Sequence, residues 1–337
     1  MMDDEKRLLT TIRLSLGAIS LVLIILLLML IPLVIPTGSD KEVVLTEANS
    51  ASIPAGPWTP PDSTTIVSSP EAKLILYGQE LVSHTSRYLG PKGSVINVSN
   101  GMNCQNCHLQ GGKKFFGNNF SAVASTYPKF RDRSGTIEQI EKRVNDCIER
   151  SLNGKSLDDG SLEMKAFVAY IKWVGKDVPL KMVPQGSGLP ELPTLDRAAN
   201  PTAGAKLYND KCLRCHGSNG KGLISPDGLE WIYPPLWGER SFNTGAGILR
   251  LSRMAGYLKM NMPNDARMDS TQLLDEEAWD IAAYINSMPR PVKDLSHDWP
   301  DIATKPVDHP FGPYADEFSE VQHRYGPFPP ILDSRKK

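Results

Sequence analysis

Two short stretches decide the fold of this chain: Cys104-Gln105-Asn106-Cys107-His108 and Cys212-Leu213-Arg214-Cys215-His216. Each has the C-x-x-C-H spacing by which two thiols attach a c-type haem while the adjacent histidine ligates its iron. A disulfide framework requires no histidine after each cysteine pair, and a zinc ribbon needs further ligands at short spacing. The sequence therefore predicts two covalently bound haem c groups, one held by Cys104, Cys107 and His108 and the other by Cys212, Cys215 and His216.

Segments with helical character flank each motif. In the first unit, the amphipathic stretch Lys73–Ser86 precedes the haem motif, and a predicted helix Leu162–Val174 closes the unit. In the second unit, Ala203–Asp210 precedes the motif, and a predicted helix Asp275–Met288 closes the unit. This order resembles the cytochrome c fold. The expected fold class is therefore mainly α, with two cytochrome c-like haem domains in tandem, an N-terminal transmembrane helix and extended Pro-rich tails.

Proline-rich stretches separate these units and set the predicted boundaries. The sequence predicts a cytoplasmic stub and membrane anchor at 1–36, a Pro-rich tether at 37–70, the first cytochrome c domain at 71–177, a linker at 178–201, the second cytochrome c domain at 202–289 and a wrapping C-terminal tail at 290–337. A formal net charge of −1 over 337 residues gives no indication of a nucleic-acid partner.

The N-terminal segment Leu14–Ile35 contains 22 residues without a charge, about enough to cross a hydrocarbon core of roughly 30 Å. A cleaved secretory signal is the alternative, but its apolar core normally has only about 7–15 residues. Lys6, Arg7 and Arg13 precede the segment, so the positive-inside rule places the N-terminus in the cytoplasm. We therefore expect a single-pass anchor in the cytoplasmic membrane, with the body of the protein in the periplasm.

The fifth cysteine, Cys147, is left over once the four haem thiols are assigned. It follows His108 by 39 residues, where a small cytochrome domain is expected to present the second axial ligand of its iron. Arg143 and Ser151 flank the thiol at i−4 and i+4, and a cationic neighbour together with Fe³⁺ would hold it as the thiolate. The alternative is a free cysteine that packs as a small hydrophobic residue.

The segment around this cysteine has helical periodicity from Thr136 to Ile148. Thr136 and Gln139 are predicted to form a capping box at its start. Ile140, Val144 and Cys147 then share the inward face of the helix.

In the second unit, Met262 is the predicted distal ligand, 46 residues after His216. Methionine is the usual partner of histidine in electron-transfer haems, and Pro263 fixes the backbone beside it. Other candidates remain in the sequence: Met254, Met260, Met268 and Lys259, and for bis-histidine ligation in either unit His84, His297, His309 and His323. A thiolate-ligated first haem should have the lower potential, so electrons would pass from the first haem to the second.

Several stretches of the chain are similar to the dihaem thiosulfate dehydrogenases and tetrathionate reductases, which are relatives of the cysteine-ligated cytochromes of sulfur oxidation. These stretches are Trp58–Pro61, Asn100–Leu109, Arg143–Ser151, Asn261–Pro263 and Phe311–Asp316. The sequence Arg-Val-Asn-Asp-Cys-Ile-Glu-Arg-Ser at 143–151 is the most specific of them, and the resemblance covers nearly everything after residue 57.

The resemblance implies an enzyme that interconverts thiosulfate and tetrathionate, 2 S₂O₃²⁻ ⇌ S₄O₆²⁻ + 2 e⁻. The catalytic haem would have His108 and Cys147 as axial ligands, and Cys147 would also carry a covalent sulfur adduct. The second haem, with His216 and Met262, would relay electrons to or from a periplasmic c-type cytochrome or a similar carrier. The membrane is the remaining expected partner.

The resemblance also assigns further residues around the first haem. Arg133 and Arg143 match the substrate-binding arginines of the family, Ser151 matches its active-site serine, and Gln110 is a weaker candidate for contact with substrate. Asn261 stands where some members carry a lysine that ligates the second haem, so permanent ligation by Met262 is implied.

Two other functions remain as alternatives. One is a non-catalytic, membrane-tethered dihaem carrier that shuttles electrons between the quinol pool and periplasmic partners. The other is catalysis on a different sulfur compound, such as the coupling of sulfite to thiol sulfur. A pure carrier gains nothing obvious from a thiolate-ligated haem flanked by arginines, so the sequence favours the enzyme.

Overall fold

The computed structural model describes residues 57–67, 70–264 and 273–336. The predicted anchor at Leu14–Ile35 and the candidate ligand Met268 lie outside the described residues. Among the residues that are described, no helix is both long enough and apolar enough to cross a membrane.

The architecture is mainly helical, as predicted. The helices are α1 (Ala72–Ser83), α2 (Thr85–Leu89), α3 (Leu109–Gly112), α4 (Val123–Thr126), α5 (Ile140–Arg150), α6 (Leu162–Val174), α7 (Pro201–Lys211), α8 (Leu213–His216), α9 (Leu251–Asn261), α10 (Asp275–Ser287), α11 (Glu320–Tyr325) and α12 (Pro329–Ser334). Short 3-10 helices lie at Ser63–Ile66, Cys104–Asn106, Gly247–Leu249 and Ile302–Thr304. Strands β1 (Lys129–Arg131) and β2 (Thr136–Glu138) form one antiparallel hairpin, and β3 (Leu223–Ile224) and β4 (Trp231–Tyr233) form another.

In both units the helix before the haem motif packs against the helix that closes the unit. Gly78 of α1 lies so close to α6 that an added Cβ would stand 2.0 Å from the carbonyl oxygen of Ala166. Gly204 of α7 approaches α10 in the same way, 1.9 Å from the carbonyl oxygen of Asp280. Because glycine has no Cβ, it permits this approach of two helix backbones, and the same device therefore holds both crossings.

Each crossing lies within its own hydrophobic core. The first core includes the fully buried Phe167 and Tyr170 of α6, and the second includes Trp279 and Ile281 of α10. The predicted helix Leu162–Val174 is found with the same limits, because Ser161 caps it by accepting a hydrogen bond from the N–H of Met164.

One predicted helix start is wrong. Residues Thr136–Glu138 pair with Lys129–Arg131 as strand β2, so the helix that carries Cys147 begins only at Ile140. Gln139 occupies the N-cap position without a side-chain cap hydrogen bond, and the predicted capping box is not formed. The amphipathic stretch 73–86 is also divided, into α1 and α2, at His84.

The linker and the C-terminal tail pack on the helical units. In the linker, Gln185 accepts a hydrogen bond from the N–H of Trp58, and Pro193 accepts one from the indole of Trp279. In the tail, Phe328 and Ile331 are buried in the second core. Both segments thus add to the walls of the haem-binding units.

Candidate haem and substrate site

The two motif histidines are oriented by the same kind of hydrogen bond. Nδ1 of His108 lies 2.5 Å from the carbonyl oxygen of Asn118, and Nδ1 of His216 lies 3.0 Å from that of Pro234. A carbonyl can only accept, so Nδ1 is the donor in both rings, and Nε2 keeps its lone pair for a metal. Both motifs therefore offer two thiols and a correctly protonated imidazole, the donor set that a c-type haem requires.

A cavity of about 690 Å³ opens between the two motifs. Its lining includes Asn106 and Cys107 of the first motif, Cys212, Cys215 and His216 of the second, and the methionines Met254 and Met262. Volumes of roughly 300–1,000 Å³ are typical of cofactor sites. The size of the cavity thus fits a haem attached to these cysteines.

Cys147 lies on α5 and is partly buried. Its Sγ accepts a hydrogen bond from Nη1 of Arg143 at 3.0 Å, and the ring of His108 faces the same sulfur. Burial alone would raise the pKa of this thiol, but the charge of Arg143 and the contact with His108 outweigh it and lower the pKa to about 6. The structure therefore brings together Cys147, Arg143 and the motif histidine.

Arg133 reaches the same helix from the β1–β2 connection. Its Nη2 donates to Oδ2 of Asp146 at 3.1 Å, and Lys142 donates to the other carboxylate oxygen at 2.5 Å. Burial and the neighbouring charge of Arg150 lower the pKa of Arg133. Asp146, with its side chain 3% exposed, therefore holds Arg133 against α5, the helix of Cys147, and compensates its charge.

A third arginine, Arg150, was missed by the sequence reasoning. Its guanidinium makes two bonds of 2.7 Å to the carboxylate of Asp298 in the C-terminal tail. The next residue, Trp299, donates its backbone N–H to the carbonyl oxygen of Arg133 at 2.7 Å. The position of Arg150, three residues after Cys147 on one helix, was a signal that could have identified it.

Ser151 and Gln110 are placed differently from one another. Ser151 forms the C-cap of α5, and its N–H donates to the carbonyl oxygen of Cys147 at 2.8 Å, so it lies one turn beyond the thiol. Gln110 has a left-handed backbone with a φ of 55° and lines the cavity between the two motifs. The structure therefore brings Ser151, but not Gln110, to the helix of Cys147.

Met262 is the C-cap residue of α9 and lines the cavity that contains His216. Met254 lines the same cavity from within the second core, where it is 4% exposed. The other candidate, Lys259, is bound to Asp275 at 2.9 Å.

The candidate histidines are engaged elsewhere or exposed. His84 binds Glu230 at 2.8 Å, and His297 is exposed. His309 contacts the backbone of Phe311 through Nδ1. His323 is fully buried, with Nδ1 bound to the carbonyl oxygen of Val307 and Nε2 to Asp316. These contacts favour Met262 over the histidines as the residue that faces His216.

Asn261, next to Met262, has its side-chain amide bonded to two backbone carbonyls. The side chain is fully buried, and its Nδ2 donates to the carbonyl oxygens of Phe116 at 3.0 Å and Tyr257 at 3.2 Å. Asn261 thus contacts the first haem-binding unit.

Comparison with known proteins divides the chain as its motifs do. A family model described as "SoxA/TsdA, cytochrome c domain" matches residues 96–180, and one described as "Cytochrome c" matches residues 201–289. These matches confirm two cytochrome c domains in tandem.

Curated relatives and a solved structure extend the similarity over most of the chain. A thiosulfate dehydrogenase of Psychrobacter arcticus is 38% identical over 72% of this chain and 71% of its own. One from Allochromatium vinosum is 37% identical over 68% and 86%. The solved thiosulfate dehydrogenase TsdBA of Marichromatium purpuratum is 32% identical, with a TM-score of 0.64 over 70% of this chain. This chain spans half of the length of that TsdBA chain.

Proposed function

This chain belongs to the thiosulfate dehydrogenase family and carries two covalently bound haem c groups, and we propose that it joins two thiosulfate ions into tetrathionate at Cys147. The relation to the curated relatives makes it an oxidoreductase of the thiosulfate dehydrogenase type. The further proposals are the ligand sets of the two haems, the residues that bind substrate, the reversibility of the reaction and the location of the protein.

The observation that carries the proposal is the setting of the Cys147 sulfur. It lies between Arg143, which donates to it, and His108, whose Nε2 keeps its lone pair for iron. We infer that His108 and Cys147 would bind the iron of the first haem. When bound there, the haem accepts the electrons released by the oxidation of sulfur.

The thiolate of Cys147 is also the nucleophile in this scheme, because a thiolate forms and exchanges sulfur–sulfur bonds. Oxidation joins it to the terminal sulfur of one thiosulfate, Cys147–S⁻ + S₂O₃²⁻ → Cys147–S–S–SO₃⁻ + 2 e⁻. The terminal sulfur of a second thiosulfate then attacks the sulfur that is bonded directly to the Cys147 sulfur. The S–S bond to Cys147 breaks, tetrathionate leaves, and the Cys147 thiolate is regenerated, so charge and atoms balance.

Two dianions must approach each other for this reaction, and the arginines near Cys147 offset their repulsion. Arg143 contacts the sulfur directly, and Arg133 is held against the same helix by Asp146. A guanidinium presents several donors in one plane and matches the oxygens of a sulfonate group. We therefore assign Arg133 and Arg143 to substrate binding, with Ser151 one helical turn beyond the thiol as a further active-site residue.

The second haem is proposed to have His216 and Met262 as axial ligands and to exchange electrons with a periplasmic c-type cytochrome or a similar carrier. The shared cavity of these two residues supports this assignment. In Met262→Gly holoenzyme, the long-wavelength methionine-to-iron charge-transfer band should vanish. In Met260→Gly it should persist, because Met260 is not among the residues that line the cavity. Loss of the band only in Met260→Gly would show that Met260, and not Met262, is the ligand.

We further propose that the uncharged segment Leu14–Ile35 anchors the protein in the cytoplasmic membrane, with its body in the periplasm. The full chain should then remain in the membrane fraction after an alkaline carbonate wash, whereas a chain that lacks residues 1–35 should not. Release of the full chain by the wash would contradict the anchor.

The principal experiment measures thiosulfate- and tetrathionate-dependent turnover of the holoenzyme beside Cys147→Gly. We expect both activities to fall on the order of a thousandfold or more in the variant, as for removal of other catalytic nucleophiles. Glu141→Gly is the matched control, because it places the same helix-weakening residue in α5 away from the sulfur.

The two other functions make different predictions. A wild-type protein without either activity would favour one of these alternatives, the carrier or an enzyme acting on a different sulfur compound. Full activity of Cys147→Gly with both haems attached would show that the reaction does not require Cys147.

A further inference from the structure

Three tyrosines donate their phenol hydroxyls to backbone carbonyls beside the haem motifs. Tyr170 bonds to Gly111 at 2.8 Å within the first unit, and Tyr208 bonds to Gly217 at 2.7 Å within the second. Tyr257 differs, because it belongs to the second unit but bonds to Asn106 of the first haem motif at 2.9 Å. Only this third bond, among the three, crosses from one unit to the other.

Tyr257 lies next to both haem-binding motifs. The side chain is 7% exposed, and it lines the cavity beside the second motif together with Met254 and Met262. Its hydroxyl donates to the carbonyl oxygen of Asn106, one of the two residues between Cys104 and Cys107. One side chain therefore contacts the attachment loop of the first haem and lines the cavity that both motifs share.

Asn261 adds a second link from the same face of α9, one helical turn after Tyr257. Its amide donates to the carbonyl oxygen of Phe116, also in the first unit. The two acceptors, Asn106 and Phe116, lie on either side of His108 in the chain. Helix α9 is thus fastened at two points to the segment that carries the first iron-binding histidine.

The same helix ends at Met262, the proposed ligand of the second iron. Residue 118, whose carbonyl orients His108, follows the second point of attachment by two positions. A shift of α9 relative to the loop at 106–118 would therefore change the distance between the ligands of the two irons. The bonds from Tyr257 and Asn261 resist that shift.

We propose that Tyr257, assisted by Asn261, is a positioning residue that fixes the spacing of the two haem-binding segments and thereby sets the rate of electron transfer between them. This proposal rests on the two-haem relay described above. One electron passes at a time, so one iron is oxidised as the other is reduced, and no proton or atom moves with it. The hydroxyl acts through geometry and is not itself oxidised.

The test follows electron redistribution between the haems in holoenzyme reduced by a single light-generated electron, without thiosulfate. Tyr257→Phe keeps the ring and removes the bond to Asn106. We expect the redistribution rate to fall several-fold, because the rate of electron transfer decreases with the distance between the two centres. Tyr257→Leu, which also removes the ring, should reduce the rate further. The midpoint potentials and the spectrum of each haem should stay unchanged.

Tyr208→Phe is the matched control, because it removes a buried phenol–carbonyl bond of the same kind within one unit. Its redistribution rate should equal that of the wild type. An equal slowing in Tyr208→Phe, an unchanged rate in both Tyr257 variants, or a slowing explained wholly by shifted potentials would each overturn the proposal. Because no thiosulfate is used, the result is independent of whether Cys147 performs the proposed sulfur chemistry.

Discussion

The ion pair between Arg150 and Asp298 fastens the C-terminal tail to the helix of Cys147, and its removal gives a sharp test. Both charged groups are largely buried, with 11% of each side chain exposed, and two bonds of 2.7 Å join them. Among the described residues, the remaining nitrogen of the guanidinium, Nε, has no hydrogen-bond partner. In Asp298→Ala, the guanidinium would therefore lose both of its carboxylate bonds while it stays buried.

The size of the effect follows from the geometry. Two unit charges at about 2.7 Å attract by about 6 kcal/mol at an effective dielectric constant of about 20, and the cost of burying them offsets much of this energy. Removing one partner leaves an uncompensated charge and typically costs about 3–5 kcal/mol. We expect Asp298→Ala to lower the free energy of unfolding by that amount.

Urea unfolding of the holoenzyme, followed by circular dichroism, measures this change. The double variant Arg150→Met/Asp298→Ala should lose less stability than the sum of the single variants, by a coupling of about 0.5–3 kcal/mol. Asp333→Ala is the control on the same tail, because its pair with Lys336 is exposed and should contribute less than about 1 kcal/mol. A loss in Asp298→Ala no larger than in this control, or strictly additive single variants, would refute the reasoning.

Two further predictions concern the second unit. Gly204→Ala would place a Cβ 1.9 Å from the carbonyl oxygen of Asp280 and should lower the free energy of unfolding by about 1–3 kcal/mol. Gly247→Ala is the control, because the added Cβ would have no neighbouring atom within 4 Å among the described residues. It should change the free energy of unfolding by less than about 0.5 kcal/mol. For Asp308, burial raises the pKa, but the ion pair with Arg250 and hydrogen bonds from its neighbours outweigh this and hold the pKa below its usual range. The resulting stabilisation is complete above the unfolded-state pKa of about 3.9 and disappears as the pH falls through the lower folded-state pKa. The difference in unfolding free energy between the wild type and Asp308→Asn should thus be largest near pH 7 and shrink below about pH 4, and a constant difference would contradict the assignment.

The features that the sequence predicts well depend on residues close together in the chain. The haem motifs are contiguous, and the helix Leu162–Val174 carries its own cap at Ser161. Cys147 and Arg143 are four residues apart on one helix, so helical geometry alone brings their side chains together. Such short-range relations need no knowledge of the tertiary structure.

The features that the sequence does not predict depend on distant partners. Thr136–Glu138 has the periodicity of a helix start, but it pairs with Lys129–Arg131 as a strand because the hairpin satisfies its backbone hydrogen bonds. Arg150 and Asp298 are 148 residues apart, and no local pattern joins them. Tyr257 likewise meets Asn106 across 151 residues.

The structure also explains why the stretch Arg143–Ser151 is so specific. Val144 and Ile148 pack in or against the first core, so one stripe of the helix is fixed by hydrophobic contact. Asn145 fastens the loop after the helix, because its amide bonds both to the carbonyl oxygen and to the N–H of Leu157. These contacts set the rotation of α5 about its axis.

The remaining positions of that stretch then face different partners at fixed angles. Arg143 donates a hydrogen bond to the sulfur of Cys147. Asp146 accepts one from Arg133, and Arg150 forms an ion pair with Asp298 of the tail. Because α5 is a single rigid helix of three turns, a change in any one of these contacts would rotate or tilt the others. Cys147 is therefore positioned by a helix that packs against the core on one face and forms charged hydrogen bonds on the others. These contacts involve most residues of the stretch Arg143–Ser151.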